Sequence, residues 1–287
     1  MQERFLTETL FVSLGIDKNK TVMNYYQKQK LKRQALQAAN SFDVSQVKTY
    51  RAHELHFDPN LFIPMASGKE LDTILSSEGG LMPATSLMIS GGPGSGKTTV
   101  TLDLLAALTK KGYRCLFISG EMDQIGFWKY AKRMPQIQNV ETLFLRDYAL
   151  QIKPVLEHVL DLGYDVVATD SIAEVIDLFK DGQATTEGVA EHWFLQLVDR
   201  HKKGNNSRGA HTAFVNIQQM TKAGVGSGSN RLPHMHDAVA LINRNKETGE
   251  RKLWFSKNRD CAMDYAVHFT IDSEGVRYNF APIDDEE

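Results

Sequence analysis

Ser90-Gly91-Gly92-Pro93-Gly94-Ser95-Gly96-Lys97-Thr98-Thr99 is the stretch that decides how this chain folds. It fits G-x-x-x-x-G-K-[ST], with Gly91, Gly96, Lys97 and Thr98 in the fixed places. The apolar run Ser86 to Ile89 precedes it, and Val100 to Leu108 follows with helical periodicity. In that strand–loop–helix setting the glycines turn backbone N–H groups onto phosphate oxygens, and the helix N-terminus adds positive potential. Lys97 then reaches the β- and γ-phosphates, and the Thr98 hydroxyl ligates Mg²⁺. A glycine-rich turn that meets the pattern by accident is the competing reading, and the flanking strand and helix argue against it. Gly91, Gly92, Pro93, Gly94, Ser95, Gly96, Lys97, Thr98 and Thr99 are therefore read as a nucleotide phosphate site.

The chain of 287 residues suits one large α/β domain with an extension, at 42% hydrophobic and 24% charged residues. A net charge of −2 gives no global attraction to polyanions, so any nucleic-acid contact must come from local patches. Cys115 and Cys261 lie far apart and outside any C-x-x-C, which argues against a disulfide framework or a zinc site. No apolar run is long enough to span a bilayer, and the N-terminus does not read as a signal peptide. The expectation is a cytoplasmic, reducing compartment and no membrane partner.

Residues 1–58 read as a helical extension and linker. Glu3 to Leu14 and Val22 to Ala39 have helix-like spacing, and Lys18, Lys20, Lys28, Lys30, Lys32 and Arg33 cluster on and before the second. A solvated face explains such a cluster more economically than a nucleic-acid arm. Asp58-Pro59-Asn60 marks the passage into a core over 59–281, and the acidic end, 282–287, reads as a disordered tail. Within the core, strands are expected at Arg114–Ser119, Glu141–Leu145, Asp165–Asp170 and Thr212–Ile217. Helices are expected to Arg133, over Lys153–Leu162 and over Glu187–Lys203, the last preceded by a polar loop, Lys180–Thr186. Strands dominate after Ala238. This alternation predicts an α/β fold with a mostly parallel central sheet flanked by helices and a C-terminal β-hairpin region.

Three groups of residues then stand where chemistry is done. Asp170 ends an apolar strand, which places it at the carboxyl edge of a parallel sheet, where Mg²⁺ is held beside a phosphate loop. Glu121 occupies the matching place after Arg114–Ser119 and can polarise the water that attacks a γ-phosphate. Gln218 and Gln219 follow a strand ending near Ile217; either amide can sense the γ-phosphate and pass its loss onward. Lys257 and Arg259 sit at a hairpin, and their pattern alone does not separate solubilisation from completion of a neighbour's site. His234 and His236 lack a third ligand, so no metal site is read there. Trp193, Phe194, Trp254 and Phe255 are read as core or subunit contacts.

Taken together these residues resemble the RecA-like ATPases, most closely the RadA-type proteins, including their compact phage-like forms, and the DnaB-type helicases. The resemblance runs from about Phe62 to Phe280 and is carried by Ser67-Gly68-Lys69-Glu70-Leu71-Asp72, Phe117-Ile118-Ser119-Gly120-Glu121-Met122, Asp170-Ser171-Ile172, Met220-Thr221-Lys222-Ala223-Gly224 and Lys257-Asn258-Arg259. It implies ATP and Mg²⁺ as cofactors and a homo-oligomer, ring or filament, with a hexamer the expected ring. It also implies that Lys257 and Arg259 act on an adjacent protomer, and that loops near 180–186 and 221–232 face single-stranded DNA. Lys222 and Arg231 flank the glycine-rich part of the second loop and are the candidate DNA contacts. Asp260-Cys261 departs from the Phe-Gly that ends the RadA signature, so only its cationic half is present. The expected function is an ATP-hydrolysing motor on single-stranded DNA in recombination, repair or replication, with helicase or branch-migration activity. A KaiC-like switch without DNA, or a slowly hydrolysing structural ring, are the alternatives.

Overall fold

Apolar runs that are buried on both faces cannot alternate with polar residues, and that is how the core strands here are written. The computed structural model describes Lys30, Arg33, Ser45 and residues 47–220, 231–272 and 275–282. The chain divides into two compact units, Met1–Phe57 and Asp58–Glu287. In the first unit the described residues include a 3₁₀ turn, Ala52–Glu54, closed by the Arg51 amide donating to Glu54 Oε2 at 2.8 Å. Apart from Lys30 and Arg33, the two N-terminal helices and their basic cluster lie outside the described residues, as does the acidic end from 283.

The second unit is built on one nine-stranded sheet of order β3-β2-β4-β5-β1-β6-β7-β8-β9. Its parallel part comprises β1 (Ser86–Gly91), β2 (Cys115–Ser119), β3 (Glu141–Phe144), β4 (Val166–Asp170), β5 (Ala213–Gln219) and β6 (Ala238–Arg244). The strands β7 (Arg251–Asn258), β8 (Tyr265–Asp272) and β9 (Gly275–Pro282) extend it antiparallel. Helices α1 (Lys97–Lys110), α2 (Gln124–Arg133), α3 (Ile152–Asp161), α4 (Ile172–Gly182) and α5 (Glu187–Lys202) connect the parallel strands. This is the RecA-like arrangement the sequence predicts, a mixed sheet whose antiparallel part is C-terminal.

Successive residues of a strand point to opposite faces, and the two cores follow that rule. Leu87 and Ile89 of β1, Phe117 of β2, Ala168 of β4 and Val215 of β5 join α1 in one layer. Met88, Leu116, Ile118, Val167 and Phe214 point the other way, onto α3, α4 and α5. Two readings need correction. The sequence reading assigns no helix directly after Asp170, yet α4 buries Ile172, Val175, Ile176 and Phe179 at helical spacing and runs to Gly182, which shortens the expected loop at 180–186 to its second half. Strand β5 continues through Gln219, because Gln218 and Gln219 pair with Ser90 and Gly91 of β1. Those glutamines are strand residues. Trp193 stacks on Phe179 at 4.0 Å between ring centroids, and Phe194 and Phe255 are buried, so these aromatics serve the core.

Candidate nucleotide site

β1 lies between β5 and β6, and its carboxyl end opens directly into the loop 92–96 and the first turn of α1. Gly96 shows why this loop needs glycine: its φ is +105°, and a Cβ there would come within 2.8 Å of Ile271 Cδ1 and 3.2 Å of Arg251 Cδ. The Lys97 ammonium is buried and donates to the carbonyls of Gly91 (2.8 Å) and Gly92 (3.0 Å). Burial holds its pKa below the usual lysine value, while Asp170 and Glu121 pull the other way. Ser95 Oγ is buried with no hydrogen-bond partner among the described residues. A buried hydroxyl and a buried ammonium satisfied only by loop carbonyls suit a polyanion.

Asp170 closes β4 and accepts a hydrogen bond from Thr98 Oγ1 at 2.5 Å. The two oxygens proposed for Mg²⁺ are thus already adjacent, and a hydroxyl with a carboxylate is a donor set that suits this hard cation. Burial pushes the Asp170 carboxyl up to about 6; the Thr98 hydroxyl and Lys97 oppose that rise and Glu121 adds to it. A carboxyl whose pKa is higher in the folded than in the unfolded chain loses stability as pH rises from about 4 to about 6. Asp170→Asn should therefore leave the ligand-free protein unchanged below pH 4. Above pH 6 it should stabilise the protein by on the order of 2–3 kcal/mol. Denaturant melts of both proteins at pH 4 and pH 7.5 measure this, and equal stability at pH 7.5 would contradict it.

Glu121 stands two residues past the end of β2, exposed at the same edge, and its Oε1 receives the Gln219 side-chain amide at 2.8 Å. Gln218 is buried. Of the two glutamines, Gln219 is the one that meets the candidate water-activating acid. The Thr99 hydroxyl lies 2.9 Å from Tyr130 OH of α2, which ties the phosphate-loop helix to the helix that follows Glu121.

Lys257 and Arg259 are elsewhere. Leu87 pairs with Ala238, and Ala238 pairs with Asn258, so the end of β7 lies beside the start of β1, not its end. The five steps from Ser86 to Gly91 put these cations about 16 Å along the sheet from the phosphate loop. Arg259 donates to Asp237 Oδ1 at 3.0 Å, and Lys257 donates to the carbonyls of His234 (3.0 Å) and His236. Asp237 also accepts from Ser86 N (2.9 Å), Ser86 Oγ (2.7 Å) and Lys202. Burial by itself would raise this carboxyl, but the Lys202 and Ser86 hydrogen bonds outweigh it and hold the pKa below the usual range. Arg231 approaches His192 Nδ1 at 3.4 Å, while Lys222 lies outside the described residues. His236 is a core histidine, its ring bonded to Leu232 O (2.7 Å) and Asn216 Nδ2 (3.0 Å).

Sequence reasoning passed over Asp237 and Arg146. Asp237 precedes an expected strand as a carboxylate at its amino edge. Arg146 follows another at its carboxyl edge, and that placement was the signal available.

Residues 67–143, which hold the phosphate loop and Glu121, match the family described as "ATPase: KaiC". The chain carries a KaiC-like ATPase domain of the RecA family. It is similar to the DNA repair protein RadA of Campylobacter jejuni, at 30% identity over 207 residues, covering 72% of this chain and 44% of that protein. The same is true of RadA from Mycobacterium tuberculosis, at 26% over 208 residues, with coverage of 72% and 41%. The chain thus matches less than half the length of these relatives. The fold is also that of the flagellar accessory protein FlaH of Methanocaldococcus jannaschii. The TM-score is 0.58 at 13% identity, with 74% of this chain and 96% of that one covered. Among the described residues, no helix of the KaiC-like unit is long and apolar enough to cross a membrane.

Proposed function

We propose that this protein is an ATP-hydrolysing, Mg²⁺-dependent motor that works as a homo-oligomer on single-stranded DNA in recombination, repair or replication. The observation that carries the reading is the division of the site. Lys97, Thr98, Asp170, Glu121 and Gln219 gather at the carboxyl edge of the parallel strands, while Lys257 and Arg259, at the end of β7, stand level with the opposite, amino edge of those strands. In a head-to-tail assembly the lower edge of one protomer meets the upper edge of the next, and each nucleotide is completed in trans. Both edges carry exposed large apolar side chains, Ile125 and Trp128 above and Met235 and Met263 below, as a contact surface requires.

In this reading Lys97 binds the β- and γ-phosphates and Glu121 orients the attacking water. Mg²⁺ held by Thr98 and Asp170 would neutralise charge on the same phosphate oxygens. Gln219 exchanges its bond to Glu121 for one to the γ-phosphate, and the change passes through Met220 into the segment that carries the candidate DNA contact Lys222 and leads to the other, Arg231. The likeness to RadA, a DNA repair protein by name, supports DNA as the polymer.

A second reading, an ATP-driven assembly switch without DNA, is favoured by the KaiC match and by a net charge of −2. The ATPase rate with and without single-stranded DNA, at 50 and 200 mM salt, separates the two. The motor reading expects stimulation that fades at the higher salt as phosphate contacts are screened. Neither stimulation nor binding at low salt would leave the switch.

A further inference from the structure

Glu121 is exposed, so the place of its carboxylate depends on how firmly its backbone is held. The backbone is held on both sides. Before it, the Gly120 amide donates to Asp170 O at 2.7 Å, and the Gly120 carbonyl accepts from Arg146 Nε, also at 2.7 Å. After it, Ser119 Oγ accepts from the Met122 amide (3.1 Å) and donates to the Met122 carbonyl (2.8 Å). The second arm of the Arg146 guanidinium donates to Glu174 Oε2 at 3.0 Å, on the first turn of α4. A Cβ at position 120 would come within 2.7 Å of Glu174 Cβ and 3.3 Å of Asp170 O, so only glycine lets these parts close up.

Arg146 therefore joins three elements: the turn that carries Glu121, the helix that follows Asp170, and the segment leaving the edge strand β3. Its side chain is 59% exposed, and an ion pair at such a surface contributes little to stability. A guanidinium with two donors fixed in one plane instead dictates the position of two acceptors at once.

We propose that Arg146 is a positioning residue for hydrolysis: it fixes the Gly120–Glu121 peptide against the end of β4 and the start of α4. Turnover then depends on Arg146 through Glu121 and not through nucleotide binding. This rests on the role given to Glu121 above. The test uses the full chain with R146Q, R146K, E174Q, E121Q and the double variants R146Q/E121Q and E174Q/E121Q. The measurements are ATP affinity, steady-state turnover and, for the slow variants, single-turnover hydrolysis. R146Q should lower kcat about 10–100-fold with KM for ATP within about twofold, as expected when a reacting group is misplaced by an ångström. R146K, which keeps the charge but not the fork, should recover part of the loss.

In the E121Q background R146Q should cost nothing further. An unchanged kcat in R146Q, a loss confined to KM, or a full multiplicative loss on top of E121Q overturns the proposal. Should R146Q fail to fold, E174Q decides: a smaller loss that vanishes beside E121Q supports the positioning role, and a loss undiminished beside E121Q, or no loss at all, overturns it. Wild-type turnover in E121Q itself would instead remove the reading of Glu121 on which the proposal stands.

Discussion

Replacing Lys97 with alanine should abolish ATP hydrolysis and weaken ATP binding about 10–100-fold. The size follows from the interaction lost. A hydrogen bond between charged groups contributes about 1.5–3 kcal/mol, and in a site closed to water the same cation is worth more as charge develops on the γ-phosphate. Turnover should therefore fall further than affinity, by about a thousandfold or more. The ligand-free fold should tolerate the change, because the buried ammonium is satisfied there only by the carbonyls of Gly91 and Gly92. Hydrolysis at the parent rate would mean that the phosphate loop has been misassigned. The same variant also tests the divided site. Lys97→Ala subunits keep intact Lys257 and Arg259, and Arg259→Ala subunits keep an intact phosphate loop. Mixtures should regain part of the activity that each lacks alone. No recovery at any ratio, with mixed assembly verified, would confine the site to one protomer.

Glu121→Gln should retain ATP binding and lose turnover by about 10²–10⁴-fold, the range for removal of a general base. The substitution keeps the shape of the side chain and its acceptor for the Gln219 amide, so geometry at the sheet edge should persist while proton transfer does not. The protein should then accumulate in its ATP-bound, assembled state, seen as a larger species by light scattering with ATP than without. Normal turnover in this variant would take Glu121 out of the mechanism. Loss of binding together with turnover would make it a ligand-shaping residue instead.

Several elements were legible for a simple reason. Strands buried on both faces show as apolar runs, and Leu87-Met88-Ile89, Leu116-Phe117-Ile118 and Val166-Val167-Ala168 could not sit elsewhere. The glycines and Lys97 then mark the candidate phosphate loop, and the ends of β2 and β4 mark where the candidate acids Glu121 and Asp170 would meet it. Helix α4 is harder to read although its buried face carries the periodic signal, because its apolar residues begin at Ile172, only two positions past the end of the apolar strand β4, and the two runs merge. The apolar run of β5 stops at Ile217, two residues short of the strand's end at Gln219. Pairing of Gln218 and Gln219 continues only because β1 offers Ser90 and Gly91 as partners.

The parallel core, the candidate phosphate loop and the candidate acids at the sheet edge are legible from the sequence alone, since each is written in local spacing and in burial that one segment can express. The tertiary structure decided the rest. It brought Thr98 to Asp170 across 72 positions and Gln219 to Glu121 across 98. It chose Gln219 over Gln218 for that contact, put Arg146 beneath the Glu121 turn, and set Lys257 and Arg259 at the far edge of the sheet. Those relations depend on strand order and register, and no stretch of chain carries the register of the strand it will pair with.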